Sequence, residues 1–83
     1  MRVEITKPAD KDLLKLDDST RTRILKALKG LVEYLEVSGL VKLKVQDDAW
    51  RLRVGDWRVI LEIDQDESVI YVHRIKHRKE AYR

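Results

Sequence analysis

The chain has no cysteine and no phenylalanine, a single proline and three glycines in 83 residues. Without cysteine there is no disulfide scaffold, no thiolate metal site and no cysteine nucleophile. The glycines stand too far apart to form a glycine-rich phosphate loop. The two histidines lack matching ligand spacing for structural zinc, and Asp64, Asp66 and Glu67 lack the central glycine of a calcium loop. Ser19, Ser38 and Ser68 sit in cap or turn contexts with no histidine beside them, so nothing supports a hydrolase triad. The expectation is a protein without metal or cofactor. No stretch approaches the roughly 20 apolar residues of a membrane span. The opening Met1-Arg2-Val3-Glu4 lacks a signal peptide's apolar run, so a soluble, cytoplasmic protein without membrane contact is expected.

What the chain does have is charge. Charged residues are 40% of the total, against roughly 25% in an average soluble protein. The 43% of apolar residues suffices for one core, and the length predicts a single domain over residues 1–83. The net charge is only +3, but Arg74, Lys76, Arg78, Lys79 and Arg83 crowd the last ten residues against Glu80 alone. A cationic end of this kind suits a polyanion, nucleic acid first. A solvated basic tail is the alternative on charge alone.

Val3 and Ile5 alternate with polar neighbours as a short strand. Thr6-Lys7-Pro8 reads as a helix entry, since proline suits the first turn. Ala9, Leu13 and Leu16 line one face of that helix. Asp17-Asp18-Ser19 offers capping oxygens to a longer helix with Ile24, Leu28, Leu31 and Leu35 in a stripe, stopping near Ser38-Gly39. From Val41 the period becomes two, with Asp47-Asp48 as the loop entering the strands. Trp50 to Val54 and Trp57 to Ile63 flank Gly55-Asp56, a two-residue hairpin turn. Asp64 to Ser68 forms a looser turn before a strand from Val69 to about Ile75. The predicted fold is α+β: a short N-terminal strand, a two-helix hairpin, then a three-stranded antiparallel meander, with the helices on one sheet face.

With Gly55-Asp56 as the turn, Val54 opposes Trp57 and Arg53 opposes Arg58. Trp50, Leu52, Val54, Trp57, Val59 and Leu61 then face the helices, while Arg51, Arg53 and Arg58 gather on the other face. Like charges placed opposite each other destabilise a sheet, and a shared phosphodiester would relieve them. Three arginines on an ordinary wet face, relieved by Glu62 or Asp56, is the alternative. An even register on the last strand places Arg74 or Lys76 beside Arg58 and turns Tyr71, His73 and Ile75 toward the core. His77, Arg78 and Tyr82 lie beyond that strand and must fold back to contribute.

Two runs together carry a resemblance: Trp50-Arg51-Leu52-Arg53-Val54-Gly55-Asp56-Trp57-Arg58-Val59-Ile60, and Ile75-Lys76-His77-Arg78-Lys79-Glu80-Ala81-Tyr82. With the opening Ala9-x-x-Asp12-Leu13-x-x-Leu16, the chain resembles the RelE branch of the RelE/ParE toxin superfamily over essentially its whole length. The resemblance implies a toxin of a type II toxin–antitoxin system that cleaves messenger RNA in the ribosomal A site without a metal. In that chemistry the 2′-hydroxyl attacks the adjacent phosphate, leaving a 2′,3′-cyclic phosphate and a 5′-hydroxyl. It further implies that Arg51 and Arg53 stand where the best-known member has functional lysines. Arg58 and Arg78 would bind phosphate, and Tyr82 would be the active-site tyrosine. Arginine, with a pKa above about 12, is a poor general base, so proton transfer falls to Tyr82 or His77. The implied partners are the ribosome, its mRNA and a cognate antitoxin on a separate polypeptide. Two other readings stay open: a ParE-like poison of DNA gyrase, and a non-catalytic RNA-binding module using the same basic face.

Overall fold

The computed structural model describes residues 1–33, 39–43 and 49–81. Leu35, Ser38, Asp47, Asp48 and Tyr82 therefore lie outside the described residues. The elements run β1 (Arg2–Ile5), α1 (Lys7–Leu14), α2 (Asp18–Glu33), β2 (Leu40–Lys42), β3 (Ala49–Val54), β4 (Trp57–Asp64), β5 (Val69–His77) and α3 (Arg78–Ala81). They build one five-stranded sheet in the order β1-β5-β4-β3-β2. The β3–β4–β5 meander is antiparallel throughout, and β1 joins β5 in parallel.

The helix starts follow from their caps. Thr6 is extended at the entry to α1, its Oγ1 accepting the Ala9 N–H at 3.4 Å and donating to the Val72 carbonyl at 2.9 Å. Asp17 Oδ1 accepts the Thr20 N–H at 3.1 Å and so caps α2. Hydrogen bonds from the Thr20 side chain and then from its N–H hold the Asp17 carboxyl below its ordinary value of 3.8. Arg21 locks the corner between the two helices. Its Nε donates to the Leu13 carbonyl at 3.0 Å, one Nη to the Leu16 carbonyl at 2.7 Å, and the other to Asp18 at 2.8 Å. These carbonyls lie at and just beyond the end of α1, where helix acceptors run out of intrahelical donors; that of Leu13 also accepts the Leu16 N–H at 3.1 Å.

The helix stripes and the inner face of the meander meet as expected. Ala9, Leu13, Leu16, Ile24, Leu28 and Leu31 pack against Leu52, Val59, Leu61, Ile63 and Ile75, all buried. Trp50, Val54 and Trp57 are half-buried against that core.

Three features differ from the sequence reading, the first being that β5 runs past Ile75 to include His77, with Arg78 opening the short helix α3. Leu40–Lys42 forms a separate strand on β3, pairing Leu40 with Leu52 and Lys42 with Trp50. Three residues are too few for an alternation to show. In β5 the register shifts by one residue opposite Ile60/Leu61, so that Ile60 pairs with Arg74 and Leu61 with Val72. The extra residue, His73, forms a β-bulge and inverts the alternation on its N-terminal side. Ile70 and Val72 therefore fill the core, whereas Tyr71 is half-buried and His73 exposed; of the three residues expected inside, only Ile75 is there. Exposed His73 instead approaches Glu62 at 3.5 Å and stacks on Tyr71, with ring centroids 6.4 Å apart.

Removing the Arg21 fork takes the side-chain donor from the Leu16 carbonyl and leaves the Leu13 carbonyl with the Leu16 N–H alone. Arg21→Ala is expected to lower unfolding stability by about 2 kcal/mol, with Arg21→Lys recovering only part. Urea unfolding followed by circular dichroism measures both.

Candidate functional site

The β3–β4 turn forms as the sequence predicts. Gly55 has φ +59° and no other residue of the turn is left-handed, the sign pattern of a type II′ hairpin turn. The register pairs Val54 with Trp57 and Arg53 with Arg58. On the other side of β4, Arg58 pairs with Lys76. Arg53, Arg58 and Lys76 thus form a row of cations across three strands, on the face turned from the helices. Arg51 lies two residues along β3 from Arg53 on the same face.

The members of this row are not equivalent. Arg53 is exposed, Arg51 and Lys76 are half-exposed, and Arg58 is buried at 6% exposure. An Nη of Arg58 donates to the carbonyls of Gly55 at 3.0 Å and Trp57 at 2.9 Å. Arg58 therefore folds back over the turn and fixes it, and the more open charges around it are Arg53, Lys76 and Arg78.

The end of β5 closes on the same turn. The Arg78 N–H donates to the Asp56 carbonyl at 2.8 Å, and the Arg78 guanidinium lies 3.9 Å from the Asp56 carboxylate. His77 stands edge-on to Trp57, with ring centroids 5.3 Å apart, and its Nδ1 accepts the Lys79 N–H at 3.4 Å. That bond leaves the proton of a neutral imidazole on Nε2. Arg53, Arg58, His77 and Arg78 are thus assembled around one two-residue turn, with Arg51 further along the face. Tyr82 belongs to the residues outside the description.

Arg74, by contrast, is drawn away. Its guanidinium donates to Asp12 on α1 at 2.9 and 3.4 Å, and the same carboxylate accepts the Ile75 N–H at 2.9 Å. Burial works to raise the Asp12 pKa, with 11% of the side chain exposed. The Arg74 and Ile75 hydrogen bonds, with the charges of Arg74 and Lys15, outweigh it and hold the carboxyl below 3.8.

Sequence reasoning missed Arg23. A Cβ on Gly55 would lie 3.1 and 3.2 Å from the two Arg23 Nη atoms, so this α2 side chain rests directly against the turn. No spacing rule connects residues 23 and 55, because the contact exists only once α2 is docked on the sheet. Among the described residues, no group of three His, Asp or Glu converges as metal ligands, and no helix is long and apolar enough to cross a membrane.

The family model for the ParE toxin of the type II toxin–antitoxin system parDE matches residues 3–82. A Methanocaldococcus jannaschii protein bearing the toxin name RelE1 is 34% identical, covering 98% of this chain and 93% of its own length. The archaeal RelE–RelB complex from Pyrococcus horikoshii contains a chain with TM-score 0.79 and 34% identity, each chain 93% covered. The isolated Escherichia coli RelE toxin shares the fold, with TM-score 0.77, 20% identity, and 96% and 88% of the two chains covered. This chain belongs to the RelE/ParE family and is a RelE-type toxin of the type II toxin–antitoxin class.

Because the folded Asp12 pKa lies below its unfolded value, its stabilising effect is complete above about pH 4 and is lost as pH falls through the folded value. Asp12→Asn is expected to flatten the acid limb of the stability profile below about pH 4. Urea titrations from pH 3 to 7 test this, and an acid limb as steep as the wild type's would remove Asp12 from the account.

Proposed function

We propose that this toxin is a metal-independent endoribonuclease that cuts messenger RNA in the ribosomal A site, halting translation. The single observation that carries the reading is the convergence of Arg53, Arg58, His77, Arg78 and Lys76 on the Gly55-Asp56 turn. Attack of the RNA 2′-hydroxyl on the adjacent phosphate concentrates negative charge on the phosphorane oxygens. Fixed guanidiniums stabilise that charge more than the ground state, and this difference is what accelerates the step. Arg51, Arg53 and Arg78 hold the phosphate, and Arg58 keeps the turn in place while contributing its charge. His77, with Nδ1 engaged by Lys79, donates to a phosphate oxygen from Nε2. Proton transfer, off the attacking 2′-hydroxyl and onto the departing 5′-oxygen, falls to Tyr82 or His77.

An exposed cationic ledge cannot bend an RNA strand by itself. The ribosome supplies that orientation by holding the codon open. In this reading residues 1–83 act as one domain in the cytoplasm. The partner that restrains the toxin is an antitoxin on a separate chain, supported by relatives solved as RelE–RelB complexes.

Arg53→Ala is expected to slow cleavage on programmed ribosomes with an empty A site by on the order of 10²-fold, with thermal unfolding unchanged because the side chain is exposed. Tyr82→Phe should slow it as well, with RNA ends mapped by primer extension. Wild-type-like cuts in Arg53→Ala would refute the site. Folded wild-type protein that leaves mRNA intact but blocks gyrase supercoiling would establish the gyrase reading. Salt-sensitive RNA binding without new ends would establish the binding-module reading.

A further inference from the structure

The described arginines divide by partner. Arg2, Arg21, Arg74 and Arg78 each lie within 4 Å of a carboxylate, and Arg58 is bonded to turn carbonyls. Arg23 is exposed, and among the described residues it has no hydrogen bond or ion pair. It nevertheless does not extend freely into water. Both its Nη atoms and its Cζ lie within 3.5 Å of where a Gly55 Cβ would be.

Arg23 adds an exposed positive charge to a turn where Arg58 is already buried against the Gly55 carbonyl and the Arg78 amide is bonded to Asp56. The arrangement brings three guanidinium-bearing residues, from α2, β4 and α3, to one two-residue turn whose only carboxylate, Asp56, is shared with Arg78. A polyanion with regularly spaced phosphates relieves such a cluster, since each planar fork can bind phosphate oxygens in pairs.

We propose that Arg23 is an RNA-binding residue of this toxin: seated across Gly55, it contacts a backbone phosphate neighbouring the one held by Arg53 and Arg78. This extends the site from the outer face of the sheet around the turn to α2. The proposal rests on the ribonuclease reading above. It concerns affinity and strand placement, because Arg23 approaches the turn from the helix layer while the Arg53–Arg58–Lys76 row lies on the opposite face. Gly55 itself cannot test it, since φ of +59° already calls for glycine.

The test compares wild type, Arg23→Ala and Arg23→Lys on ribosomes programmed with a defined mRNA and an empty A site. Affinity is measured across a potassium chloride series, and cleavage is measured in single turnover at saturating toxin. Arg23→Ala should bind about tenfold more weakly, with the slope of log affinity against log salt reduced by about 1. Its saturated cleavage rate should match wild type. Arg23→Lys should recover the slope but only part of the affinity, because ammonium lacks the fork. Melting temperature should hold for both variants. Wild-type affinity and slope in Arg23→Ala, with wild type cutting normally, would overturn the proposal. A lowered melting temperature with an unchanged salt slope would overturn it too, making Arg23 a clamp on the turn. Wild-type protein that neither binds nor cuts these ribosomes would defeat the ribonuclease reading itself, and the proposal with it.

Discussion

One carboxylate holds the functional half of the last strand to the helix layer. β1 pairs with β5 only from Val69 to Val72, so the following stretch of β5 needs another element at its edge. Asp12 provides it, accepting the Ile75 N–H and two bonds from Arg74. Such charge-assisted bonds are about twice as strong as neutral ones. They anchor β5 just before Lys76, His77 and Arg78, whose positions decide whether a cationic site exists. The pair also removes Arg74 from the cation cluster, leaving a more selective arrangement than the basic composition implies.

The hairpin turn then acts as the gathering point. Its carbonyls take the buried guanidinium of Arg58, and the Asp56 carbonyl takes the Arg78 amide. These backbone acceptors hold Arg58 and the start of α3 in place, and the carboxylate of the turn, Asp56, lies 3.9 Å from the Arg78 guanidinium. Rigidity of this kind is what electrostatic catalysis needs, since donors already in place cost no reorganisation when charge develops. The side chains left more open, Arg53, Arg78, Lys76 and Arg23, surround that rigid centre.

Much of this was legible in the residues. Thr6 and Asp17 announced their helices through side-chain oxygens, and Ile24, Leu28 and Leu31 marked the buried stripe. Gly55-Asp56 gave both the turn and the Arg53–Arg58 pairing, because a two-residue loop admits one register. The failures were tertiary. His73 looks like any strand residue, so its bulge, and the inversion that sends Ile70 and Val72 inward instead of Tyr71, had no local signature. Arg58 reads as an outward arginine by alternation, yet its length lets it curl onto the turn and become buried. Leu40–Lys42 exists as a strand only because β3 is there to pair with it. Arg23 needs the docked helix before it meets Gly55.

The bulge in β5 allows one strand to serve two purposes. N-terminal to His73, the inward positions are Ile70 and Val72, closing the core beneath β1. C-terminal to it, the inward position is Ile75, and Lys76 joins the outer row beside Arg58. Were the strand regular at its present length, with His73 paired like its neighbours, a single alternation would have to satisfy both ends. Keeping Ile70 and Val72 inside would then drive the residue now numbered 76 to the inner face. The core and the cation row would be in direct conflict over register. That one unpaired position lets the two halves of β5 accept substitutions under separate rules, apolar volume on one side and charge on the other.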